Sequence, residues 1–598
     1  MSPPAPVERP PHVHPTRMRH IADDDLAAGV GLPGASPAAV RAHLAARPDR
    51  HPTPDHRQWA EQARGTAAAD EILETAKELL TREVDFVSPA AGRSGLYGLH
   101  YLTWMTPLVQ AYELSGDDAY PAAFGRIFRA WYASRDVVVG DWPGLDVVWY
   151  SLGVWARAMV LVPAMTTFAE TPALDDATFA DMLRTVLGGA RWAAEEHDEF
   201  RHGNWQLVCA AELLHVAAFL PDAEEAPQWA RVGRERTLEH LDRDFYPDGG
   251  HHERSPGYHV LCLQALRRAE EVAGRHLGWR PSDHPAFGAA HDWLAAMRTP
   301  AGWVPAWQDS PVVYPDIELP EPKPGSKLLP SSGYAILAGQ PPANPFMIVN
   351  VGPYVEHELE SHSHLAVTDF VLVAFDAPLA IEAGGPPTYD DPLYQSWYRS
   401  PAAHNVVTLP DEQMTTDRRC ELDEFTVTEH VTVLRAHHHG YSRRVERRIL
   451  FVAGDPAYWL ISDTVDGGGP ATWSIHGPAQ WRSVDGGFAS TGGPALHVVP
   501  AHRALLAART EVGVGQLPRG KPREFGPLHA LRLDSPVGRF DVLLTATSTE
   551  SVAPPRLSSC DGGWRITCGS FIDSVDRGRW ERRGADGQVV ATARWEQR

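Results

Sequence analysis

The sequence predicts an α+β multidomain protein in which a series of paired helices precedes an antiparallel β-sandwich. A chain of 598 residues is too long for a single hydrophobic core, so two or more domains are expected. From Trp59 onward apolar residues recur with the period of amphipathic helices, and after a Pro-rich linker they recur with the period of strands. These changes predict an irregular N-terminal arm over 1–55, a helical domain over 56–325 and a β-sandwich domain over 326–598.

The helical domain is predicted from repeated apolar positions at i, i+3, i+4 and i+7, first seen over 69–80. Eight further segments share this spacing: 102–114, 120–134, 149–168, 177–195, 205–219, 228–245, 257–273 and 285–298. Loops with Gly, Pro or Asp separate them and give a rhythm of helix pairs. That rhythm is typical of a helical toroid or a solenoid, in which each pair covers the next. The first 55 residues, rich in Pro, His and Arg, predict an irregular arm.

The β-domain is predicted from short runs of apolar and β-branched residues between turn residues. The clearest runs are 333–338, 346–351, 425–434, 457–463 and 540–546. Short strands with such connections favour antiparallel sheets packed face to face.

Composition excludes several classes of partner. The net charge of −22 argues against a general nucleic-acid binder and against attraction to anionic membranes, since both need a positive surface. The N-terminus shows no apolar signal segment and no later stretch reaches membrane-spanning length, so a cytoplasmic protein is expected. The five cysteines form no CxxC pair, which argues against a disulfide framework or a thiolate zinc site. A homo-oligomer is left open.

Two polar motifs open helices in the first half of the chain. The first, Arg201-His-Gly-Asn204-Trp-Gln, puts polar and aromatic side chains before an otherwise apolar helix, where Asn204 is also a candidate N-cap. The second runs from Asp248 to His259 and is dense in titratable groups. Because such a turn is costly for chain reversal alone, it predicts a functional loop.

Three histidines and a carboxylate follow at strand ends in the β-domain. His362 and His364 are two apart, so on a strand both side chains point to one face. Glu382 follows the next predicted strand, and His404 opens another. Two histidines with one carboxylate suit zinc with nitrogen and oxygen ligands.

Taken in order, these motifs resemble the heparinase II/III-like polysaccharide lyases. The matching pieces are Asp248-Gly-Gly-x-x-Glu-x-Ser-Pro-x-Tyr258-His, Ser332-Gly-Tyr, His362-x-His364, Glu382-Ala-Gly and Ser400-Pro-Ala-Ala-His404-Asn405. The resemblance extends over roughly 90–480. It implies an (α/α) toroid as the catalytic domain, followed by an antiparallel β-sandwich, in agreement with the two periods.

The resemblance implies β-elimination on a glycan that contains uronic acid, or on a related small acidic substrate. The enzyme must neutralise the uronate carboxylate, remove the weakly acidic C5 proton and protonate the leaving oxygen. The implied roles are neutralisation by Asn204 and acid and base chemistry by Tyr258. His362 is implied at the catalytic centre. A structural Zn2+ is implied on His364, Glu382 and His404.

Three departures from the family pattern are present. Many relatives have Asn-Asn-His where this chain has Asn-Trp-Gln, so His202 or His252 is predicted to replace the missing histidine, and His202 is added to the catalytic set. The acidic metal ligand is usually Asp rather than Glu382. An Asp two residues after the His-x-His motif is replaced by Ala366.

The predicted substrate-binding residues are Trp205, Gln206, His252, Glu253, Tyr394 and Arg399, with Tyr389 as an alternative to Tyr394 for a further tyrosine of the catalytic site.

Two other functions remain open at this point. A toroidal glycoside hydrolase would use two carboxylates, with Asp248 and either Glu253 or Asp146 as candidates. A non-catalytic glycan-binding protein would bind such a glycan without turnover.

Overall fold

The computed structural model describes residues 20–47, 56–87, 92–136, 151–195, 203–352, 362–415, 420–549, 552, 555–560, 562–576 and 578–596. Helices fill the first half of this part of the chain and antiparallel strands fill the second, as the sequence predicts. None of the helices in the described part combines the length and the apolar character needed to cross a lipid bilayer.

The helices begin and end close to the predicted positions. They are α1 Asp23–Gly29, α2 Pro37–Ala46, α3 His56–Ala63, α4 Ala67–Leu79, α5 Gly92–Tyr101, α6 Thr106–Ser115, α7 Ala119–Ser134, α8 Ser151–Thr167, α9 Asp176–Ala194, α10 Gly203–Phe219, α11 Ala226–Arg243, α12 Pro256–Val272 and α13 Pro285–Met297. Short 3-10 or π turns lie at Thr103–Met105, Ala273–Leu277, Pro281–Asp283, Tyr394–Tyr398, Pro401–Ala403 and Arg503–Leu505. The side chains of Ser36, Thr66 and Asp175 cap α2, α4 and α9 by accepting a backbone N–H three residues on.

The N-terminal arm differs from its prediction. The segment predicted to be irregular contains α1 and α2 within its described residues. The physical reason is a tertiary contact: the Arg41 guanidinium of α2 is buried and donates to the carbonyls of Phe168, Ala169 and Thr171. A helix this short is stabilised by such contacts rather than by its own pattern.

The strands form four antiparallel sheets. They are β1 Lys327–Leu329, β2 Tyr334–Ala338, β3 Phe346–Asn350, β4 Phe370–Ala374, β5 Ala377–Ala380, β6 Val407–Thr408, β7 Cys420–Val427, β8 Val431–His438, β9 Val445–Val452, β10 Tyr458–Val465, β11 Ala471–Gly477, β12 Trp481–Val484, β13 Gly487–Ser490, β14 Ala495–Pro500, β15 Ala507–Gln516, β16 Phe525–Ser535, β17 Arg539–Thr547, β18 Arg556–Cys560, β19 Gly563–Cys568, β20 Phe571–Asp576, β21 Arg579–Arg583 and β22 Val589–Arg594. The strand orders are β1-β2-β3-β4-β5, β12-β13-β14-β17-β10-β9-β8-β7, β15-β16-β11-β6 and β18-β19-β20-β21-β22. The run 425–434, read as one strand, is two strands joined by a turn at 428–430.

The inner strands of the eight-stranded sheet are buried on both faces. Alternate residues of β8 and β10 point to opposite sides, as strand geometry requires. Leu434 and Trp459 pack into a core shared with the first and third sheets, whereas Val433 and Leu460 pack against the C-terminal sheet. The predicted sandwich therefore carries a third layer, formed by β18–β22.

Internal contacts group the chain into two compact units. The helical unit comprises Met1–Asp244 and Leu261–Phe287, and the sheet unit comprises Phe245–Val260 and Gly288–Arg598. The sheet unit therefore contains the motif around Tyr258 as well as all the strands. The boundaries at 55 and 325 describe the change of sequence period and stay a prediction.

Candidate active site

The motif that begins at Asp248 is a turn fixed to the connection between β1 and β2. Asp248 accepts hydrogen bonds at Oδ2 from the backbone N–H groups of Ser331 and Ser332, both at 2.8 Å, and from the Ser332 hydroxyl at 3.1 Å. Its carboxylate is therefore engaged in holding the turn. A general acid of a hydrolase must reach a glycosidic oxygen, so these contacts weigh against Asp248 in that role.

Arg254 fixes the other end of this turn. Its buried guanidinium donates to the carbonyls of Ser332 and Gly333 at 2.7 and 3.2 Å and to Asn350 Oδ1 at 2.5 Å. The Tyr334 hydroxyl returns a hydrogen bond to the Arg254 carbonyl at 2.6 Å. Arg254 has a φ of +55°, a left-handed conformation that is uncommon outside glycine and is retained where contacts enforce it. Helix α12 starts two residues later, so these contacts set the position of Tyr258 on its first turn.

Tyr258 lies in a cluster with His362 and Tyr389. Its ring stacks on the His362 ring, with centroids 3.8 Å apart and an interplanar angle of 23°. The Tyr258 and Tyr389 hydroxyls share a short hydrogen bond. Tyr389 Oη is also 3.3 Å from His362 Nδ1. Two phenols and an imidazole in mutual contact are groups that can hold and pass protons.

A buried carboxylate, Asp309, lies behind this cluster. Its Oδ2 is 3.1 Å from His362 Nδ1 and accepts a hydrogen bond of 2.7 Å from the Tyr394 hydroxyl. Its Oδ1 is 2.9 Å from His364 Nε2. Burial opposes ionisation of Asp309, but the hydrogen bonds from His362 and His364 outweigh it and hold the pKa of this carboxyl below its usual range.

A second cluster joins His364, Glu382 and His404. All three side chains are buried, and each offers a nitrogen or oxygen atom within 4.8 Å of the other two. The Nε2 of His404 is 3.0 Å from the Tyr398 carbonyl, and its Nδ1 is 3.1 Å from Glu382 Oε2. Since His364 Nε2 contacts Asp309, each histidine uses one ring nitrogen for a partner outside the group, as metal-binding histidines do.

The environment of His404 is strongly acidic. Its Nδ1 is also 3.0 Å from Asp369 Oδ2. Burial lowers the affinity of His404 for a proton, yet hydrogen bonds to Asp369 and Glu382 raise its pKa to about 10. Two carboxylates at one ring nitrogen thus demand a cation there, either a proton or a metal ion.

Comparisons with known proteins match most of this chain to one family. The signature described as "Heparinase II/III N-terminus" matches residues 93–315, and that described as "Heparinase II/III-like, C-terminal" matches residues 321–503. Together they cover about two thirds of the chain. The chain belongs to the heparinase II/III family.

Curated relatives of this family member include heparin-sulfate lyases. That of Pedobacter heparinus is 25% identical over 177 residues, which is 30% of this chain and 26% of the relative. That of Bacteroides stercoris is 23% identical over 190 residues, 29% of this chain and 28% of the relative. The match thus spans about a quarter of the length of these relatives.

Solved structures of heparinases share the fold. A heparinase III gene product superposes with a TM-score of 0.68 at 16% identity, covering 94% of both chains. The heparan sulfate lyase HepC of Pedobacter heparinus gives a TM-score of 0.61 at 17% identity and covers 96% of both chains. The predicted fold, an (α/α) toroid followed by an antiparallel β-sandwich, is confirmed.

The predicted residues of this heparinase-family chain divide between the units. Asn204 and Gln206 lie buried in the first turn of α10 in the helical unit, and Trp205 beside them is half-buried. Asn204 is inside the helix rather than at its N-cap. The predicted catalytic His202 and the hydrolase candidate Asp146 lie outside the described residues.

The other predicted substrate-binding residues lie in the sheet unit. Glu253 is buried and His252 is half-buried in the turn that Arg254 closes. Arg399 donates through Nε and Nη2 to the Ser363 carbonyl, at 3.3 and 3.1 Å, and so holds the backbone between the two histidines. Tyr394 is buried, with its hydroxyl on Asp309. Of the two tyrosines that spacing left open, Tyr389 is the one hydrogen bonded to Tyr258.

One expectation about the histidines is wrong. His362 and His364 do not lie on a strand, because β4 begins only at Phe370 and the preceding described residues are irregular. Their side chains converge for a different reason: Asp309 contacts both rings. The sequence reading missed Asp309. Its signal is the polar triplet Gln308-Asp309-Ser310 directly after an apolar and aromatic run.

Proposed function

We propose that this protein is a lyase that cleaves an acidic oligosaccharide or polysaccharide containing uronic acid by β-elimination. The observation that carries the proposal is the cluster of Tyr258, His362 and Tyr389 on the buried Asp309. Its support is membership of the heparinase II/III family, curated relatives of which are heparin-sulfate lyases. It makes the protein an enzyme of carbohydrate metabolism.

The proposed reaction removes the proton at C5 of the uronate and expels the oxygen at C4. The C5–H electron pair forms the C4=C5 double bond, the C4–O4 bond breaks and O4 takes a proton. The negative charge that develops at the uronate carboxylate must be neutralised by hydrogen-bond donors. Asn204 supplies a donor amide for this role in the proposal, and Tyr258 supplies the acid and base chemistry.

The contacts of Tyr258 fit a phenol that exchanges a proton. Tyr389 hydrogen bonds its oxygen and stabilises it as a phenolate. His362 covers the face of the Tyr258 ring, so its imidazole lies beside the same reacting centre. A phenol held by fixed partners loses little orientation freedom when substrate binds, which favours proton transfer.

We further propose a structural zinc site formed by His364, Glu382 and His404. The residues fit a divalent cation because two nitrogens and one carboxylate lie within 4.8 Å and a second carboxylate, Asp369, adds negative charge. Glu382 is oriented by the backbone N–H groups of Gln308 and Gly384, at 3.0 and 3.2 Å. When bound, zinc would tie three separate segments of the sheet unit together.

The test is product chemistry on a panel of oligosaccharides that contain uronic acid. Purified protein is expected to produce a near-ultraviolet absorbance from the new C=C bond, with no oxygen incorporated from ¹⁸O-labelled water. A hydrolase would incorporate the label and give no absorbance. Binding without turnover on every glycan would instead indicate a glycan-binding protein, and either result would reject the proposal.

The role of Asn204 is tested separately. Asn204→Ala is expected to lower the rate of elimination by about 10²- to 10³-fold, the usual cost of removing one donor to a developing oxyanion. The effect should be smaller on a neutral, methyl-esterified substrate, since charge still develops on its carbonyl oxygen but there is no carboxylate charge to neutralise in addition. An equal effect on both substrates would contradict this role.

A further inference from the structure

The turn over 308–310 contacts both of the clusters just described. Gln308 has a φ of +62°, accepts from the His364 backbone N–H at 2.5 Å and donates its own N–H to Glu382. The Ser310 hydroxyl accepts from the backbone N–H of Gly257, next to Tyr258, at 2.8 Å. Asp309 lies between these two residues. Backbone strain that is held in place by such contacts is typical of a functional site, where it helps to position neighbouring side chains.

Asp309 imposes a hydrogen-bond pattern on its neighbours. An ionised carboxylate only accepts hydrogen bonds, and three groups face it: His362 Nδ1, His364 Nε2 and the Tyr394 hydroxyl. Each of them must donate. His362 thus presents Nδ1 to the carboxylate, whereas His364 presents Nε2. The remaining ring nitrogen is therefore Nε2 in His362 and Nδ1 in His364.

We propose that Asp309 is a positioning residue that fixes the tautomers of both histidines, as Nδ1–H on His362 and as Nε2–H on His364. The consequence for His362 is a lone pair on Nε2, the form required of a base or acceptor at the catalytic centre. The consequence for His364 is a lone pair on Nδ1, the form required of a metal ligand. One buried carboxylate thereby couples the catalytic cluster to the zinc set. The role of His362 in catalysis rests on the proposed function, whereas the assignment of the two tautomers does not.

The substitution Asp309→Asn makes a sharp test because an amide cannot replace a carboxylate toward both rings. Its oxygen can accept from one histidine, while its NH₂ group forces the other to become an acceptor and so to carry its proton on the opposite nitrogen. If His362 is the ring that changes its tautomer, kcat falls about 100-fold with KM and zinc affinity nearly unchanged. If His364 is the ring that changes its tautomer, zinc affinity falls about 10- to 100-fold.

Asp573→Asn is the matched control. Asp573 is also a buried carboxylate with three donors, but these are Tyr458, Trp580 and Arg582 of the sheet unit and none is a histidine. This variant is expected to lose stability while keeping zinc affinity and kcat. Zinc affinity is measured by competition with a chromophoric chelator, and folding of both variants by circular dichroism.

Folded Asp309→Asn protein that keeps both zinc affinity and kcat within threefold of the wild type overturns the proposal. The wild type itself provides a second test if the variant does not fold. In protein labelled with ¹⁵N-histidine, His362 is expected to show a protonated Nδ1 and His364 a protonated Nε2. The opposite pattern at either ring overturns the proposal. If no glycan is cleaved, the proposed function fails, whereas zinc affinity and nitrogen shifts still decide the role of Asp309.

Discussion

Arg254→Lys tests whether the turn before α12 positions Tyr258. Lysine keeps the positive charge but replaces a planar fork by one ammonium group, so it cannot donate to all three acceptors of Arg254. Ser332, Gly333 and Asn350 now share those bonds at 2.5–3.2 Å in a buried site. With one bond kept and two lost, at about 1.5–3 kcal/mol for each bond to a charged group, local stability should fall by about 3–6 kcal/mol.

The assay is hydrogen exchange of peptides that cover 245–260. A loss of this size corresponds to exchange that is faster by on the order of 10²- to 10⁴-fold in that segment. The rate of elimination should fall by about 100-fold, because a shift of the turn displaces the Tyr258 hydroxyl from Tyr389. Unchanged exchange and unchanged activity would refute the reasoning.

Arg582→Lys serves as the control for a buried arginine elsewhere in the sheet unit. Arg582 donates to the Asp573 carboxylate and to the Asp455 and Pro456 carbonyls. The control should destabilise β21 and its neighbours while leaving exchange of 245–260 and turnover unchanged. If it lowers turnover as much as Arg254→Lys does, the effect of Arg254→Lys is a general loss of stability.

Three further results are expected. Tyr389→Phe should lower kcat by about 10- to 100-fold with little change in KM, since it removes the hydrogen bond that stabilises the Tyr258 phenolate; a change in KM alone would contradict this. Glu382→Gln should weaken zinc binding by at least about tenfold in a chelator competition, and equal binding would reject this ligand set. Acid should destabilise the fold partly through His259, since burial together with His251 lowers its pKa to about 3. Below about pH 6.5 the unfolded state binds a proton at His259 that the folded state does not bind. The free energy of unfolding therefore falls as the pH drops from about 6.5 toward 3, by at most about 1.4 kcal/mol per pH unit. His259→Gln should flatten this slope in thermal unfolding, and an unchanged slope would exclude His259 as its source.

The sequence alone predicts the helices and strands well where a single local hydrophobic period determines them. The eight helical segments predicted between 102 and 298 each correspond to one helix, with ends within four residues. The strands at 333–338 and 540–546 agree with β2 and β17. The arm is the exception, because Arg41 stabilises α2 through contacts with residues more than 120 positions away.

The site is predicted less completely because its partners are distant in sequence. His364, Glu382 and His404 are found from motif order, and the structure brings them together. Asp309 lies 53 and 55 residues before the histidines it contacts, and no period or spacing connects them.

The choice between Tyr389 and Tyr394 could not be made from the sequence for the same reason. Both tyrosines follow Glu382 at spacings that fit a catalytic role, and only the folded chain shows one hydroxyl on Tyr258 and the other on Asp309. A buried carboxylate with three donors is a tertiary feature, visible only once the fold is in place.

The most direct test of the account is the rate of elimination by Tyr258→Phe compared with Tyr458→Phe. Both substitutions remove one hydroxyl from the sheet unit, but the Tyr458 hydroxyl donates to Asp573 at 2.7 Å, away from the histidines. Loss of an acid and base at the reacting centre should lower kcat for Tyr258→Phe by about 10²- to 10⁴-fold, while Tyr458→Phe keeps the wild-type kcat. A Tyr258→Phe protein that is folded and retains kcat within tenfold of the wild type would contradict the central claim.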